Sequence, residues 1–335
     1  METQFQKADY QGGKSTLCVG CGHDQITQHI MTACFQAGIN PAGVLKMSGI
    51  GCSSKTPAYF LGKSFGFNSM HGRMAPVATG AGVVQSQLVN LGVSGDGDTA
   101  SIGLGGFAHL IRRNLRMTYI VANNGVYGLT KGQFSATSDM GAQNKGGDAN
   151  PFTAIDLCSL AIELGCTFVA RSFSGDPKQL VPLIRAAMKH RGTAFIDVIS
   201  PCVTFNNHNQ STKSFAYVKS HDHVLQELGV INPQEHIEVQ YDEGTTQVVE
   251  FVDGSKLTLK KIDSRVHNLN DSTSALRMVR EASRSGEILT GLFYVDEIHP
   301  ALHEKLNLGT KSLAELNEKD CRLKPSQFAE YLSKF

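Results

Sequence analysis

Two apolar runs near the middle of the chain, residues 91–93 and 117–122, are separated by an amphipathic stretch from 100 to 115. Apolar run, helix-length segment, apolar run is the pattern of a strand–helix–strand unit with parallel strands. The same alternation continues on both sides. Ile26, Ile30, Ala33 and Cys34 keep helical spacing within residues 25–37, with Asp24 as the expected cap and Gly38 and Pro41 as the stop; a strand follows at 43–47. A Gly- and Phe-rich loop spans 59–68. Residues 75–89 are small and free of charge, which predicts a buried helix. Downstream the pattern predicts helices at 154–164 and 178–190 and strands at 167–170 and 194–199. From Asn206 the rhythm is lost. A short helix at 223–228, strand pairs around Asp242-Glu243-Gly244 and Asp253-Gly254, a helix at 274–283 and a strand at 288–294 are expected there, before a charged tail. The fold class is therefore α/β with a mostly parallel sheet over residues 1–205. An irregular α+β extension over 206–335 is suited to packing on a neighbouring subunit.

Charge changes this picture little. There are 31 basic and 30 acidic residues, a formal net charge of +1, so nothing points to nucleic acid or an anionic membrane surface. The N-terminal stretch has no apolar core, and no apolar run approaches the roughly 18 residues of a membrane span, so a cytoplasmic protein is expected. In that reducing setting the eight cysteines are expected as metal ligands or buried thiols rather than disulfides.

In open parallel sheets, ligands sit beyond the carboxyl ends of the strands. Two polar clusters fall there: Gly95-Asp96-Gly97-Asp98 and Asn123-Asn124-Gly125. Strand-end geometry would bring Asp96 to Asn124, although 28 residues separate them. A carboxylate, an amide oxygen and a backbone carbonyl suit Mg²⁺ that keeps positions open for phosphate. Glycines let the backbone approach those phosphates. The polar loop 133–150 is too long to be an idle connection and is expected to order over this site.

Cys18, Cys21, Cys52 and Cys202 also lie in loops or at strand ends. Spaced C-x2-C and then far apart, they could hold zinc or an iron–sulfur cluster. Their location beside the Mg²⁺ site favours a [4Fe-4S] cluster, because a structural zinc has no reason to be there. Cys34, Cys158, Cys166 and Cys321 read as buried small hydrophobes.

The pairing of GDG with NN about thirty residues later resembles the thiamine diphosphate signature. That resemblance implies Asp96, the Asn124 side chain and the Val126 carbonyl as Mg²⁺ ligands, with Gly97, Asp98, Gly128 and Leu129 beside the diphosphate. CVGCGH, SGIGCSSK, MHGR, GDGD, NNGVYGLTKGQ and the late Pro201-Cys202 together look like the β subunit of two-subunit 2-oxoacid:ferredoxin oxidoreductases, over residues 17 to about 220. Val19 stands where members of the family often have proline. The resemblance implies a thiamine diphosphate-binding fold and coenzyme A-dependent oxidative decarboxylation of a 2-oxoacid, with electrons leaving through one [4Fe-4S] cluster to ferredoxin in a reaction that can run in reverse. It implies cofactor contacts from Ile50, Gly51, Cys52, Ser53, Ser69, His71 and Gly72. Lys55 and Lys131, and less strongly Arg73, are the candidates for the substrate carboxylate, and His23 is expected to pack by the cluster. The SSK and YGLTKGQF segments look most like 2-oxoglutarate-type members. The partner implied is a larger α subunit in an αβ or (αβ)2 complex, which supplies a glutamate that this chain lacks. Two other readings compete: a non-redox thiamine diphosphate lyase with structural zinc, and a non-catalytic scaffold subunit.

Overall fold

The computed structural model describes residues 5–144, 146–202, 238–250, 256–309 and 311–335. The expected helix at 223–228 and the turn at 253–254 lie outside the described residues. The centre of the molecule is a nine-stranded sheet in the order β2-β1-β3-β4-β8-β7-β11-β10-β9. Here β1 is Val44–Ser48, β2 Phe65–Asn68, β3 Val89–Gly95, β4 Met117–Asn123, β7 Phe168–Phe173 and β8 Thr193–Ile199. These six strands are parallel. β11 (Ile288–Val295) joins β7 antiparallel, and β10 (Lys256–Lys261) and β9 (Thr246–Glu250) continue the sheet from there. The stretch beyond 206 thus contributes three strands to the same sheet, and the break in sequence rhythm marks the change of strand direction. A separate two-stranded hairpin, β5 (Val126–Tyr127) with β6 (Gln133–Phe134), sits beyond the end of β4.

Strands covered on both faces must be apolar on both, and β4 obeys this. Met117, Tyr119 and Val121 pack in one core, with α2 (Met74–Val84), α3 (Leu104–Arg113), α4 (Leu157–Glu163) and α6 (Ser272–Arg284). Ile120 and Ala122 pack in the other, with α1 (Gly22–Gln36) and α5 (Pro177–Lys189). Phe107, Tyr119 and Phe195 stack edge-on or tilted, with centroids 5.1 to 6.3 Å apart. Such contacts fix the helix-to-sheet spacing, and with it the strand ends that carry the site.

Several expectations are corrected in detail. α1 begins at Gly22 rather than Gln25, because Gly20 (φ +78°) turns the chain directly into the helix, so Asp24 lies in the first turn and is not the cap. The expected loop 59–68 ends in an edge strand, β2, whose four residues are exposed and so carry no alternating signal. α2 is shorter than the expected 75–89 and only half buried, with Val77, Val83 and Val84 exposed; residues from Val89 belong to β3. α4 starts at Leu157, where Asp156 caps it through Ser159 N. Cys34, Cys158 and Cys166 are buried as expected, whereas Cys321 is exposed. Among the described residues no helix is long and apolar enough to cross a membrane.

Candidate cofactor and metal site

The loops leaving β1, β3 and β4 enclose a cleft at one edge of the sheet. Asp98 holds its walls. Its Oδ1 accepts hydrogen bonds from Ile50 N (3.1 Å), Gly72 N (2.7 Å) and His71 Nδ1 (2.5 Å), and its Oδ2 accepts one from Ser94 Oγ (2.7 Å). One buried carboxylate therefore ties the loops after β1 and β2 to the exit of β3. A Cβ on Gly49 would lie 1.9 Å from Asp98 Oδ2, so only glycine fits there. Asp98 was expected beside a diphosphate. It lines the cleft, but both of its oxygens are engaged in holding the loops. Gly97 similarly makes room for Tyr127, whose hydroxyl donates to Gly97 O at 3.1 Å.

Beyond β3 the helix opens with a wide turn, Gly97–Ile102, closed by Gly103 N donating to Asp98 O. Such i→i+5 turns recur at functional sites. Asp96, at the start of that turn, is 1% exposed. Its Oδ1 accepts from Asn124 N at 3.2 Å, and its Oδ2 accepts from the hydroxyls of Ser135 and Thr137. Asn124 Oδ1 in turn accepts from Val126 N at 3.1 Å. β3 and β4 pair through Gly95 and Ala122, which sets the two motifs side by side as strand-end geometry requires. A buried carboxylate, an amide oxygen and glycine-lined walls fit a hard cation that keeps positions for phosphate oxygens. Ser135 and Thr137 were not singled out from the sequence. Their loop was expected over the site, but nothing local says which of its hydroxyls point inward.

Ile50, Gly51, Cys52, Ser53, His71, Gly128 and Leu129 line the cleft, together with Asp96, Gly97, Asp98, Asn124 and Val126. Tyr127, Thr130 and His23 line it as well. Ser69 and Gly72 stand behind it. Ser69 Oγ donates to Ser48 O at 2.8 Å, and Gly72 (φ +70°) packs against Ile102 and Gly103. Lys55 is half-buried on the short helical turn Ser53–Ala58, next to the cleft but not among its lining residues, and its charge acts on Cys52. Lys131 is exposed at φ +80°, in the turn between β5 and β6, and does not line the cleft.

Cys18, Cys52 and Cys202 are neighbours of Cys21 at the adjoining edge, though among the described residues no three His, Cys, Asp or Glu side chains are grouped to hold one metal ion. Gly22 N donates to Pro201 O, and a Cβ on Gly22 would lie 2.7 Å from the hydroxyls of Ser174 and Ser200, so glycine lets the Cys18–Cys21 loop reach the end of β8. Burial pushes the Cys21 thiol up to about 12, and the neighbouring Cys202, Cys18 and Cys52 push it in the same direction. A cation held there would favour the Cys21 thiolate that burial and the neighbouring thiols disfavour. His23 links the two centres. Its Nδ1 hydrogen-bonds Ser200 Oγ at 2.6 Å and its Nε2 lies 3.5 Å from Asn124 Nδ2, while burial holds its pKa down at about 4, so it is a neutral ring.

Known proteins resemble this chain over the stretch that carries the cleft. Residues 47–198 match the family described as thiamine pyrophosphate enzyme, C-terminal TPP binding domain. The chain is 42% identical over 193 residues to the 2-oxoacid:ferredoxin oxidoreductase subunit beta of Sulfolobus sp, covering 57% of this chain and 63% of that protein. It therefore spans somewhat under two thirds of the length of such relatives. It is 33% identical over 279 residues to the 2-oxoglutarate synthase subunit KorB of Methanothermobacter thermautotrophicus, covering 80% of this chain and 92% of that one. The 2-oxoglutarate:ferredoxin oxidoreductase of Magnetococcus marinus, solved with 2-oxoglutarate, coenzyme A and succinyl-CoA bound, superposes with a TM-score of 0.75 at 28% identity, over 100% of this chain and 97% of that one. With the α/β sheet, the glycine-walled cleft and these matches together, the chain belongs to the β-subunit family of 2-oxoacid:ferredoxin oxidoreductases and carries its thiamine diphosphate-binding domain.

Proposed function

We propose that this chain is the cofactor-binding subunit of an enzyme that oxidatively decarboxylates a 2-oxoacid with coenzyme A and passes the electrons to ferredoxin. The observation that carries this reading is the adjacency of two sites: His23 touches the Asn124 end of the cleft while standing two residues from Cys21. A carbon-chemistry site and an electron-accepting site belong together only where the reaction releases electrons. Thiamine diphosphate, when bound, supplies the electron sink that loss of CO2 from a 2-oxoacid requires. Asp96, Asn124 Oδ1 and the Val126 carbonyl would hold Mg²⁺, and through it the diphosphate, with Gly97, Gly128 and Leu129 alongside. Cys18, Cys21, Cys52 and Cys202 would hold a [4Fe-4S] cluster, which supplies one-electron steps. Among the described residues no three His, Cys, Asp or Glu side chains are grouped to hold a single metal ion. A cluster is favoured over the zinc-lyase alternative by the position of the cysteines beside the cleft. A scaffold subunit would have little use for a buried Asp96 held in this way.

The substrate favoured is 2-oxoglutarate, supported by the ligands bound in the Magnetococcus relative. Lys55 is the favoured partner for its carboxylate, with exposed Lys131 second. Lys55→Ala is expected to raise the KM for 2-oxoacid about tenfold, the loss of one ground-state ionic contact. The KM for coenzyme A should be little changed, and steady-state kinetics with each substrate varied in turn separates the two.

A different polypeptide completes the site, in an αβ or (αβ)2 complex working in the cytoplasm. Among the described residues lining the cleft the carboxylates are Asp96 and Asp98, and no glutamate is present. The exposed C-terminal helix α8 (Pro325–Leu332), following the short α7 (Leu302–Lys305), shows Phe328, Tyr331 and Leu332 to solvent and is a candidate contact for that subunit. The extension from 206 onward is proposed as the subunit-packing part, and residues 1–205 as the cofactor part. The test is reduction of ferredoxin that depends on 2-oxoacid and coenzyme A. It is expected from the reconstituted complex and absent from this chain alone; full turnover by the isolated chain would refute the partner requirement.

A further inference from the structure

Behind Asp96 runs a line of polar side chains that neither the metal nor the cluster uses. Thr137 Oγ1 lies 2.9 Å from Asp96 Oδ2 and also 2.9 Å from Asn123 Oδ1. Asn123 Nδ2 donates to Asp197 Oδ1 at 3.0 Å. Asp197 Oδ2 accepts from Arg171 Nε at 2.9 Å, and Arg171 Nη2 donates to Asp156 Oδ2 at 2.6 Å. Thr137, Asn123, Asp197 and Arg171 are all buried. The line ends at a second cleft, between α4 and the start of β11.

A hydroxyl has one hydrogen, and the Thr137 hydroxyl lies between the Asp96 and Asn123 oxygens, with the Ser135 hydroxyl, which itself donates to Asp96, 3.1 Å away. The orientation of Asn123 is not free. Asp197 is a carboxylate pinned by Arg171, so Asn123 must give it the NH2 and turn its oxygen to Thr137. While Asp96 carries an uncompensated charge, that charge draws the Thr137 proton. Once a divalent cation takes up the Asp96 charge, the proton is released to Asn123. The geometry points to Thr137, Asn123 and Asp197 as positioning residues that set how tightly Asp96 holds its metal, with Arg171 fixing the direction of the line. This inference rests on the reading of Asp96 as a metal ligand.

Asp197→Asn tests it without unpairing Arg171, which keeps Asp156. The new amide must turn its oxygen to Arg171 and its NH2 to Asn123. Asn123 then flips and donates to Thr137, and the Thr137 proton is confined to Asp96, where it competes with the metal. Mn²⁺ binding is measured by EPR on the assembled oxidoreductase with saturating thiamine diphosphate, and thermal melts are recorded beside it. Asp197→Asn is expected to weaken Mn²⁺ binding by about tenfold or more, the usual effect of losing a group that orients a ligand. Thr137→Val removes the competing proton and should bind Mn²⁺ at least as tightly as the parent, and Thr137→Ser should behave as the parent. Adding Asp197→Asn to Thr137→Val should change nothing further, because the line is already cut. An equal loss on adding Asp197→Asn to the parent and to Thr137→Val would overturn the inference. Asp96→Ala is the control: if it binds Mn²⁺ like the parent, the metal reading itself has failed. If it abolishes binding while Asp197→Asn does not, only the present inference falls.

Discussion

Asp96→Ala is expected to remove thiamine diphosphate binding almost completely, with Asp96→Asn close behind it. Asp96 is the one charged protein group in the proposed Mg²⁺ set; the others are an amide and a carbonyl. Removing one partner of a buried charge contact costs about 3–5 kcal/mol, or more than a hundredfold in affinity. The asparagine variant separates charge from shape. Its amide oxygen can accept from Asn124 N as Oδ1 does now, and its NH2 can donate to Ser135 and Thr137 once those hydroxyls rotate. The loop over the site then stays anchored while the charge is gone. Calorimetric titration with thiamine diphosphate and Mg²⁺ should show both variants weakened, with the melting temperature of Asp96→Asn near the parent's. Parent-like affinity in Asp96→Asn would show that the carboxylate serves only to hold the loop 133–150.

The strand-end placement of this site was legible because parallel strands buried on both faces are written as plain apolar runs. β4 is buried throughout, and its flanking polar motifs could only stand at its ends. The pairing of Asp96 with Asn124 follows from adjacency of β3 and β4, which the strand–helix–strand pattern itself implies. β2 was illegible for the opposite reason: it is an exposed edge with no face to alternate, and Phe65 and Phe67 read as loop. Joining of β9–β11 to the main sheet was also hidden. The join is made by β11 alone, which pairs antiparallel with β7 more than a hundred residues away in sequence, while β10 and β9 pair with nearer strands.

Side-chain direction was the weaker part of the sequence reading. Asp98 sits in the GDGD motif and is as suggestive as Asp96, yet its carboxylate is consumed by Ile50, His71, Gly72 and Ser94. Whether an acidic residue faces the ligand or braces the walls depends on where backbone N–H groups of other loops arrive, and no local spacing records that. The same holds for Lys46, which the sequence leaves unremarked inside β1. It is buried and donates to the carbonyls of Phe60 and Leu61 at 2.6 and 3.0 Å, and burial pushes its pKa down to about 8. Those bonds anchor the chain just after the Ser53–Ala58 turn that carries Lys55.

Serine at Cys202 is expected to cost this chain most of its iron, and the same change at Cys18, Cys21 or Cys52 should follow it. The four come from three distant stretches, so the nearness of the other three to Cys21 is a product of the fold. Gly22 against Ser200 and Pro201 fixes the first loop on the last, and Cys52 caps the turn leaving β1. Burial and mutual repulsion disfavour the thiolates, as the Cys21 thiol shows, so each cysteine lost weakens the only arrangement that compensates them. Serine presents a harder, far less acidic ligand to iron. The remaining cysteines supply controls of the same chemistry. Cys158 and Cys166 donate to backbone carbonyls at 3.3 to 3.6 Å, bonds a serine hydroxyl can keep, and Cys321 is exposed. Iron and zinc content and the visible absorbance of anaerobically purified protein should be unaltered at those three positions and reduced at the four. Ferredoxin reduction by the complex should fall in parallel with iron. Retention of the full iron complement after loss of Cys202 would remove it from the ligand set, and a colourless parent protein with stoichiometric zinc would return the cysteines to a structural role.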